Sequence, residues 1–274
     1  MKVLIPTDFS ASARSAFDYG YQLVKEFSGV EMILLNSYEM PKVGASGGIM
    51  INMVTAMGKE SERDLSIELK HLKELYSDVT ITSVSRYDSI ENAISRIGKE
   101  EGIDFVVMGT HGASGLKKTL VGSNTQSVIE NCDLPVISVP RDWKFRPMKN
   151  IVYITDLNRL ENPEILKPIC ALAEAANATI HIVYVANEKA EIDLKKEMEE
   201  LPLNQYFKEM SRKFSVIESR DVAEGIDSYV NEMDADLVVM IPKEATFWES
   251  LFTRSVIEQL AFQSKVPLLS LRDK

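Results

Sequence analysis

Residues 106–140 read "VVMGTHGASGLKKTLVGSNTQSVIENCDLPVISVP". The run at the front is a short, wholly apolar strand pattern. Thr125, Val128, Ile129 and Cys132 then recur at helical spacing, and "LPVISVP" closes the stretch as a second strand. Between the first strand and the helix stand Gly109, Gly112 and the pair Gly122-Ser123. Glycines gathered where a strand hands over to a helix let the backbone come close to something bulky and anionic. A strand, a glycine loop, a helix and a further apolar strand together specify an α/β unit with a parallel sheet.

The same alternation covers the first half of the chain. Residues 2–7 are a strand, and Ala13, Ala16, Phe17, Val24 and Phe27 form a helical stripe after Ser10. "VEMILLNSY" is a second strand, Leu65, Leu69, Leu72 and Tyr76 mark a second helix, and "VTITSVS" is a third strand. Ile90, Ala93, Ile94 and Ile97 mark a third helix, which leads into "DFVVMG" as the fourth strand. Five strands are therefore predicted before residue 141.

The pattern then begins again. "NIVYITDLN" echoes "MKVLIPTDFS", with Thr155-Asp156 where Thr7-Asp8 stood; "TIHIVYV", "DLVVMIP" and "KVPLLSL" echo the second, fourth and fifth strands. The spacing between counterparts is 148 residues at the first strand and 132 at the last, so the first half carries the extra length. Much of it is "PKVGASGGIMINMVTAMG", residues 41–58, read as a long loop rich in glycine and methionine. "RDWKFRPMK" reads as the linker between halves. The expected fold is α/β: two tandem doubly wound, Rossmann-like domains, residues 1–141 and 149–274, each with a five-stranded mainly parallel sheet. The last strands, "PVISV" and "PLLSL", are apolar edges, which predicts that the halves pack through them as an intramolecular pseudo-dimer.

Composition narrows the partners. The chain has 274 residues, is 45% hydrophobic and 26% charged, and carries a formal net charge of −10, which argues against nucleic acid or an anionic membrane as partner. No apolar run approaches the ~20 residues of a membrane helix. "MKVLIPTDFS" meets a turn signal too early for a signal peptide. Cys132 and Cys170 offer neither a metal spacing nor a disulfide framework and read as buried thiols in a reducing cytoplasm. His71 and His181 fall in a helix and a strand, and neither points to a metal site.

In an open doubly wound sheet, ligands sit beyond the carboxyl ends of the strands where strand order reverses. The common five-stranded order places strands 1 and 4 side by side there. "PTDFS", carrying Asp8, and Met108-Gly109 are thereby brought to one crevice. The helix opened by Gly122 presents amides without intrahelical partners from Ser123 through Thr125. With the helix dipole and the hydroxyls of Ser123 and Thr125 they make a phosphate cradle. Asp8 is also a candidate cap for the helix beginning near Ser10. Neither G-x-x-x-x-G-K-[ST] nor G-x-G-x-x-G occurs. "SGG" at 46–48 lies in the insertion, away from the first strand, and is set aside.

Gly109-Thr110-His111-Gly112, nine further residues, and Gly122-Ser123 make the arrangement G-x-x-G-(nine)-G-[ST]. This arrangement resembles the nucleotide-binding signature of the universal stress protein family, and "PTDFS" and "CDLPVISVP" are similar to that family as well. The resemblance runs over nearly the whole chain as two copies. It implies that Pro6, Thr7 and Asp8 line the nucleoside end of an ATP site, with Ser37 flanking the adenine through its backbone. It likewise implies that Met108, Gly109, His111, Gly112, Gly122, Ser123, Asn124 and Thr125 hold ribose and phosphates, with Mg²⁺ accompanying the ATP.

The second half departs from the signature. Ile241-Pro242-Lys243-Glu244 stands against Gly109 to Gly112, and Arg254-Ser255 against Gly122-Ser123, so every glycine is replaced. Glu244 would repel phosphate. Arg254 is either an internal cation in the vacated space or a solvated surface arginine. This half reads as a degenerate, structural or regulatory copy.

Phosphoryl transfer needs metal carboxylates, a positioned base and usually a cation. Lys117 and Lys118 stand near the loop, but no base is evident, so no catalytic residue is assigned. The expectation is a cytoplasmic ATP-binding module that senses or sequesters nucleotide in a stress response. A slow ATPase or autophosphorylating enzyme is the first alternative, and an interaction scaffold without nucleotide the second. The methionine-bearing insertion is either a lid over the cleft or a surface loop. A homodimer is compatible with the sequence but not argued by it.

Overall fold

The computed structural model describes residues 1–25, 27–40, 47–110, 122–155, 160–186, 203–241 and 265–273. They fall into two compact units that divide near Arg141.

In the first unit, β1 (Lys2–Pro6), α1 (Ala11–Val24), β2 (Glu31–Tyr38), α2 (Gly47–Leu75), β3 (Thr80–Tyr87), α3 (Ile90–Glu101), β4 (Phe105–Gly109), α4 (Ser123–Asn131) and β5 (Val136–Val139) alternate as expected. The strands run in the order β3-β2-β1-β4-β5, and every pairing is parallel. Helices cover both faces of such a sheet, which is why its strands read as unbroken apolar runs rather than alternating ones. Val3, Leu4 and Ile5 of β1 are wholly buried, as are Val106 and Val107 of β4. The pairing of β1 with β4, Val3 opposite Phe105 and Leu4 opposite Val106, creates the reversal of strand order at their carboxyl ends.

In the second unit, β6 (Asn150–Ile154), a 3₁₀ turn (Pro163–Leu166), α5 (Lys167–Ala176), β7 (Thr179–Ala186), the short α6 (Leu203–Tyr206), β8 (Arg212–Glu218), α7 (Val222–Glu232), β9 (Leu237–Met240) and β10 (Leu268–Ser270) follow. Their order, β8-β7-β6-β9-β10, repeats that of the first unit, again with parallel pairs. One detail shows how closely the units repeat. Asp104, just before β4, accepts the Lys2 amide at 2.8 Å; Asp236, just before β9, accepts the Lys149 and Asn150 amides at 2.7 and 3.0 Å. Each carboxylate clamps the start of its unit's first strand.

One expectation is corrected. From Gly47 onward, residues 47–58 are helical and open α2 rather than forming a loop. Met50, Met53, Val54 and Met57 lie at helical spacing, and Met, Ala, Lys and Glu are good helix formers. Gly58 lies inside the helix against the Tyr38 side chain: a Cβ there would lie 2.6 Å from the Tyr38 hydroxyl, so α2 passes close to the end of β2. Residues 41–46 lie outside the described residues.

The segment "RDWKFRPMK" is anchored through Arg146. Arg146 donates to Asp234 Oδ1 at 2.7 Å and to the carbonyls of Asp234 and Ala235 at 2.9 and 3.1 Å, binding the linker to the turn after α7. Met148 of the same segment is buried.

Candidate functional site

The turn leaving β1 is held by a set of hydrogen bonds. The Thr7 amide completes the ladder by donating to Leu35 O at 2.7 Å. Phe9 takes a left-handed conformation, φ 62°, which a bulky side chain adopts only when its surroundings impose it. Here the Phe9 amide donates to Thr7 Oγ1 at 2.9 Å, the Ser10 amide to Asp8 Oδ1 at 3.1 Å, and Asn36 Nδ2 to Thr7 O at 2.7 Å. The cap of α1 is Ser10, whose hydroxyl accepts the Ala13 amide at 3.2 Å. Asp8 therefore holds the turn rather than capping the helix, and its carboxylate is exposed.

The β4–α4 side is tied at both ends of residues 111–121. Gly122 N donates to Thr110 O at 2.7 Å, and Thr125 Oγ1 donates to Gly109 O at 2.9 Å. Gly122 is the cap residue of α4 and supplies no side-chain acceptor, so the first-turn amides of Ser123 to Thr125 are left for water or a ligand. Ser123 and Asn124 are exposed, whereas Thr125 is buried. Behind them, the Ser127 hydroxyl donates to Glu91 and ties α4 to α3. Burial works to raise the Glu91 carboxyl, but the donors from Ser127, its own backbone and Ser89 hold it below the usual glutamate range.

These two sides enclose a cleft of about 300 Å³. Its lining includes Pro6, Thr7, Asp8, Ser37, Met108, Gly109, Gly122, Ser123, Asn124 and Thr125, all singled out by sequence. His111 and Gly112 lie outside the described residues. Ala13, Asn36 and Ile90 also line the cleft and were missed. Asn36 had a visible signal, a lone amide in the apolar run of β2; Ala13 and Ile90 look like ordinary core positions. Among the described lining residues Asp8 is the ionisable one, so a cradle for anions here consists of amides, hydroxyls and the α4 dipole. Among the described residues no three His, Cys, Asp or Glu side chains stand together as a metal site.

Gly109 has a second reason to be glycine. A Cβ there would run into Ser12 Oγ and lie 2.7 Å from Ser12 O, because the first turn of α1 crosses directly over the end of β4. Among the described residues of the second unit the first helical turn after β6 begins at Pro163, and Ile241, the counterpart of Gly109, is a buried aliphatic residue, 5% exposed. Asp156, Glu244 and Arg254 lie outside the described residues.

A five-stranded parallel sheet wound in the order 3-2-1-4-5, with its cleft at the reversal, defines the Rossmann-like α/β class. Within that class the chain belongs to the Universal stress protein family, whose model matches residues 1–140 and again 147–272. A universal stress protein of Methanocaldococcus jannaschii is 27% identical over 51% of this chain and 94% of its own length. A universal stress protein structure from Archaeoglobus fulgidus covers 100% of this chain and 98% of its own, with TM-score 0.76 and 18% identity, a likeness of fold. A family protein from Arabidopsis thaliana, solved with AMP bound, is 18% identical over 52% of this chain and 92% of its own, with TM-score 0.37.

Proposed function

We propose that the first unit binds one adenine nucleotide, ATP with Mg²⁺, and that the protein senses or sequesters nucleotide in a cytoplasmic stress response. The observation carrying this reading is the convergence of the β1 turn, the end of β4 and the uncapped start of α4 on one cleft of about 300 Å³, the lower end of the size that holds small ligands. In this reading, the Asp8 carboxylate accepts from hydroxyl or amino donors at the nucleoside end, and the Ser37 backbone flanks the base. The amides of Ser123 to Thr125 and the Ser123 hydroxyl face the phosphates, with His111 and Gly112 completing the cradle. Among the described residues no helix is long and apolar enough to cross a membrane.

The second unit, with Ile241 in place of Gly109 and Glu244 and Arg254 in place of the remaining glycines, serves as a copy without a phosphate cradle. Calorimetric titration with Mg-ATP is expected to give a stoichiometry near one per chain, and Gly112→Glu to bring it to zero. A stoichiometry near two would refute the asymmetry. No saturable binding would refute the reading. Assay of phosphate release by the same protein separates a binding module from a slow ATPase.

A further inference from the structure

Behind the nucleoside end of the cleft runs a chain of four polar groups from two strands, a helix and the turn that leaves β1. Asn36 Nδ2 donates to Thr7 O at 2.7 Å, Asn36 Oδ1 accepts from Ser61 Oγ at 2.7 Å, and Ser61 Oγ meets Ser85 Oγ at 2.7 Å. The chemistry fixes every direction. Thr7 O can only accept, so the Asn36 amide nitrogen must face it and the amide oxygen must face Ser61. Ser61 has a single proton, committed to that oxygen, so Ser85 must donate to Ser61. The chain therefore runs Ser85 to Ser61 to Asn36 to Thr7.

Its position matters more than its length. Thr7 O lies where the chain leaves β1 for the turn that carries Phe9 at φ 62° and presents Asp8. Ser61 is only 5% exposed and does not line the cleft; it comes from α2, which passes close to the end of β2 at Gly58 and Tyr38. A buried hydroxyl on one helix thus sets the side chain that holds the turn on another element.

We infer that Asn36 is a positioning residue for the β1 turn, locked by Ser61 and Ser85, and that this lock sets the affinity of the cleft for the nucleoside part of its ligand. The second clause rests on the proposed nucleotide reading. The first does not.

The test uses the full chain and two readouts. In nucleotide-free protein, Ser61→Ala leaves Asn36 Oδ1 without its donor, and exchange of the Phe9 and Ser10 amides is expected to rise about three- to tenfold, the worth of one neutral hydrogen bond. Calorimetry with Mg-ATP is expected to show an affinity loss of about the same factor, though Ser61 touches no ligand. Asn36→Ala should do at least as much, and the double variant should add little. Ser61→Thr, which keeps the hydroxyl, should restore both values, which a change in helix packing alone would not produce. Unchanged exchange in both single variants overturns the lock. Raised exchange with unchanged ATP affinity overturns its role in the cleft and leaves the proposed function standing. If wild-type protein binds no ATP, the nucleotide reading and the affinity clause both fall, and amide exchange still decides the lock.

Discussion

Ser12 rests on the bare Cα of Gly109: the first turn of α1 crosses the end of β4 so closely that no side chain fits between them. The obstruction includes the Ser12 carbonyl as well as its hydroxyl, so a rotamer change cannot relieve it. Gly109→Ala is therefore expected to lower stability by about 1–3 kcal/mol, the usual range for overpacking, with or without nucleotide. Denaturant unfolding of the nucleotide-free protein checks this. An unchanged midpoint would mean that the close approach is not needed.

Gly122 is expected to behave in the opposite way. Its φ of −58° and ψ of 142° suit any residue, and it occupies the cap position of α4 without a side-chain acceptor. Aspartate is a better helix cap than glycine by a few tenths of a kcal/mol, so Gly122→Asp should unfold no earlier than wild type. The same carboxylate would take the first-turn amides and repel phosphate. Losing two charge-assisted hydrogen bonds at about 1.5–3 kcal/mol each predicts more than a hundredfold weaker ATP binding. Retained affinity would place the phosphates elsewhere.

Asp8 and Ser10 divide two tasks that their spacing alone could not assign. Ser10→Ala removes the cap on α1 and should cost about 1 kcal/mol of stability. Asp8→Asn keeps an oxygen for the Ser10 amide and should leave stability nearly unchanged while weakening ATP binding. Thermal melts beside calorimetry distinguish the two. Equal stability losses would undo the assignment.

His181 predicts a pH dependence in the second unit. It is 2% exposed, with Nδ1 3.1 Å from the Tyr229 hydroxyl and Nε2 3.2 Å from Asn150 Oδ1. Asn150 Nδ2 donates to Met233 O at 2.9 Å, which turns its oxygen to the ring; Nε2 therefore carries the proton and Nδ1 accepts from Tyr229. Burial, and then the neighbouring Lys213, push the imidazole below its ordinary range. The unfolded chain takes up this proton near pH 6.5 and the folded chain only at lower pH. Unfolding therefore gains a proton as pH falls below about 6.5, and stability declines in that direction. Denaturant midpoints between pH 7.5 and 5 should fall more steeply for wild type than for His181→Gln. Parallel curves would assign the decline to other groups.

Much of the fold was legible because it is written locally. Buried parallel strands are continuous apolar runs, and helices such as α3 carry their stripe at Ile90, Ala93, Ile94 and Ile97. The helical start of α2 was legible too, in the spacing of Met50, Met53, Val54 and Met57, but the glycines beside it suggested a loop. The cleft was legible to the extent that strand order placed Asp8 and Gly109 together. Asn36 escaped because its reason for being polar lies on α2 and β3.

The two-fold repetition, the parallel α/β class and the clustering of glycine at the end of the fourth strand can all be read along the chain. Each follows from side-chain period or from motif spacing along the chain. The folded arrangement was needed to see that Ser10 caps α1 while Asp8 holds the turn, and that Ser12 requires Gly109 to lack a side chain. It alone decided that Arg146 closes the turn after α7, and that Ser61 and Ser85 hold Asn36 against Thr7. The physical reason is common to all four. Period records how deeply a residue is buried, whereas a hydrogen bond or close contact depends on which distant element packing brings within about 3 Å.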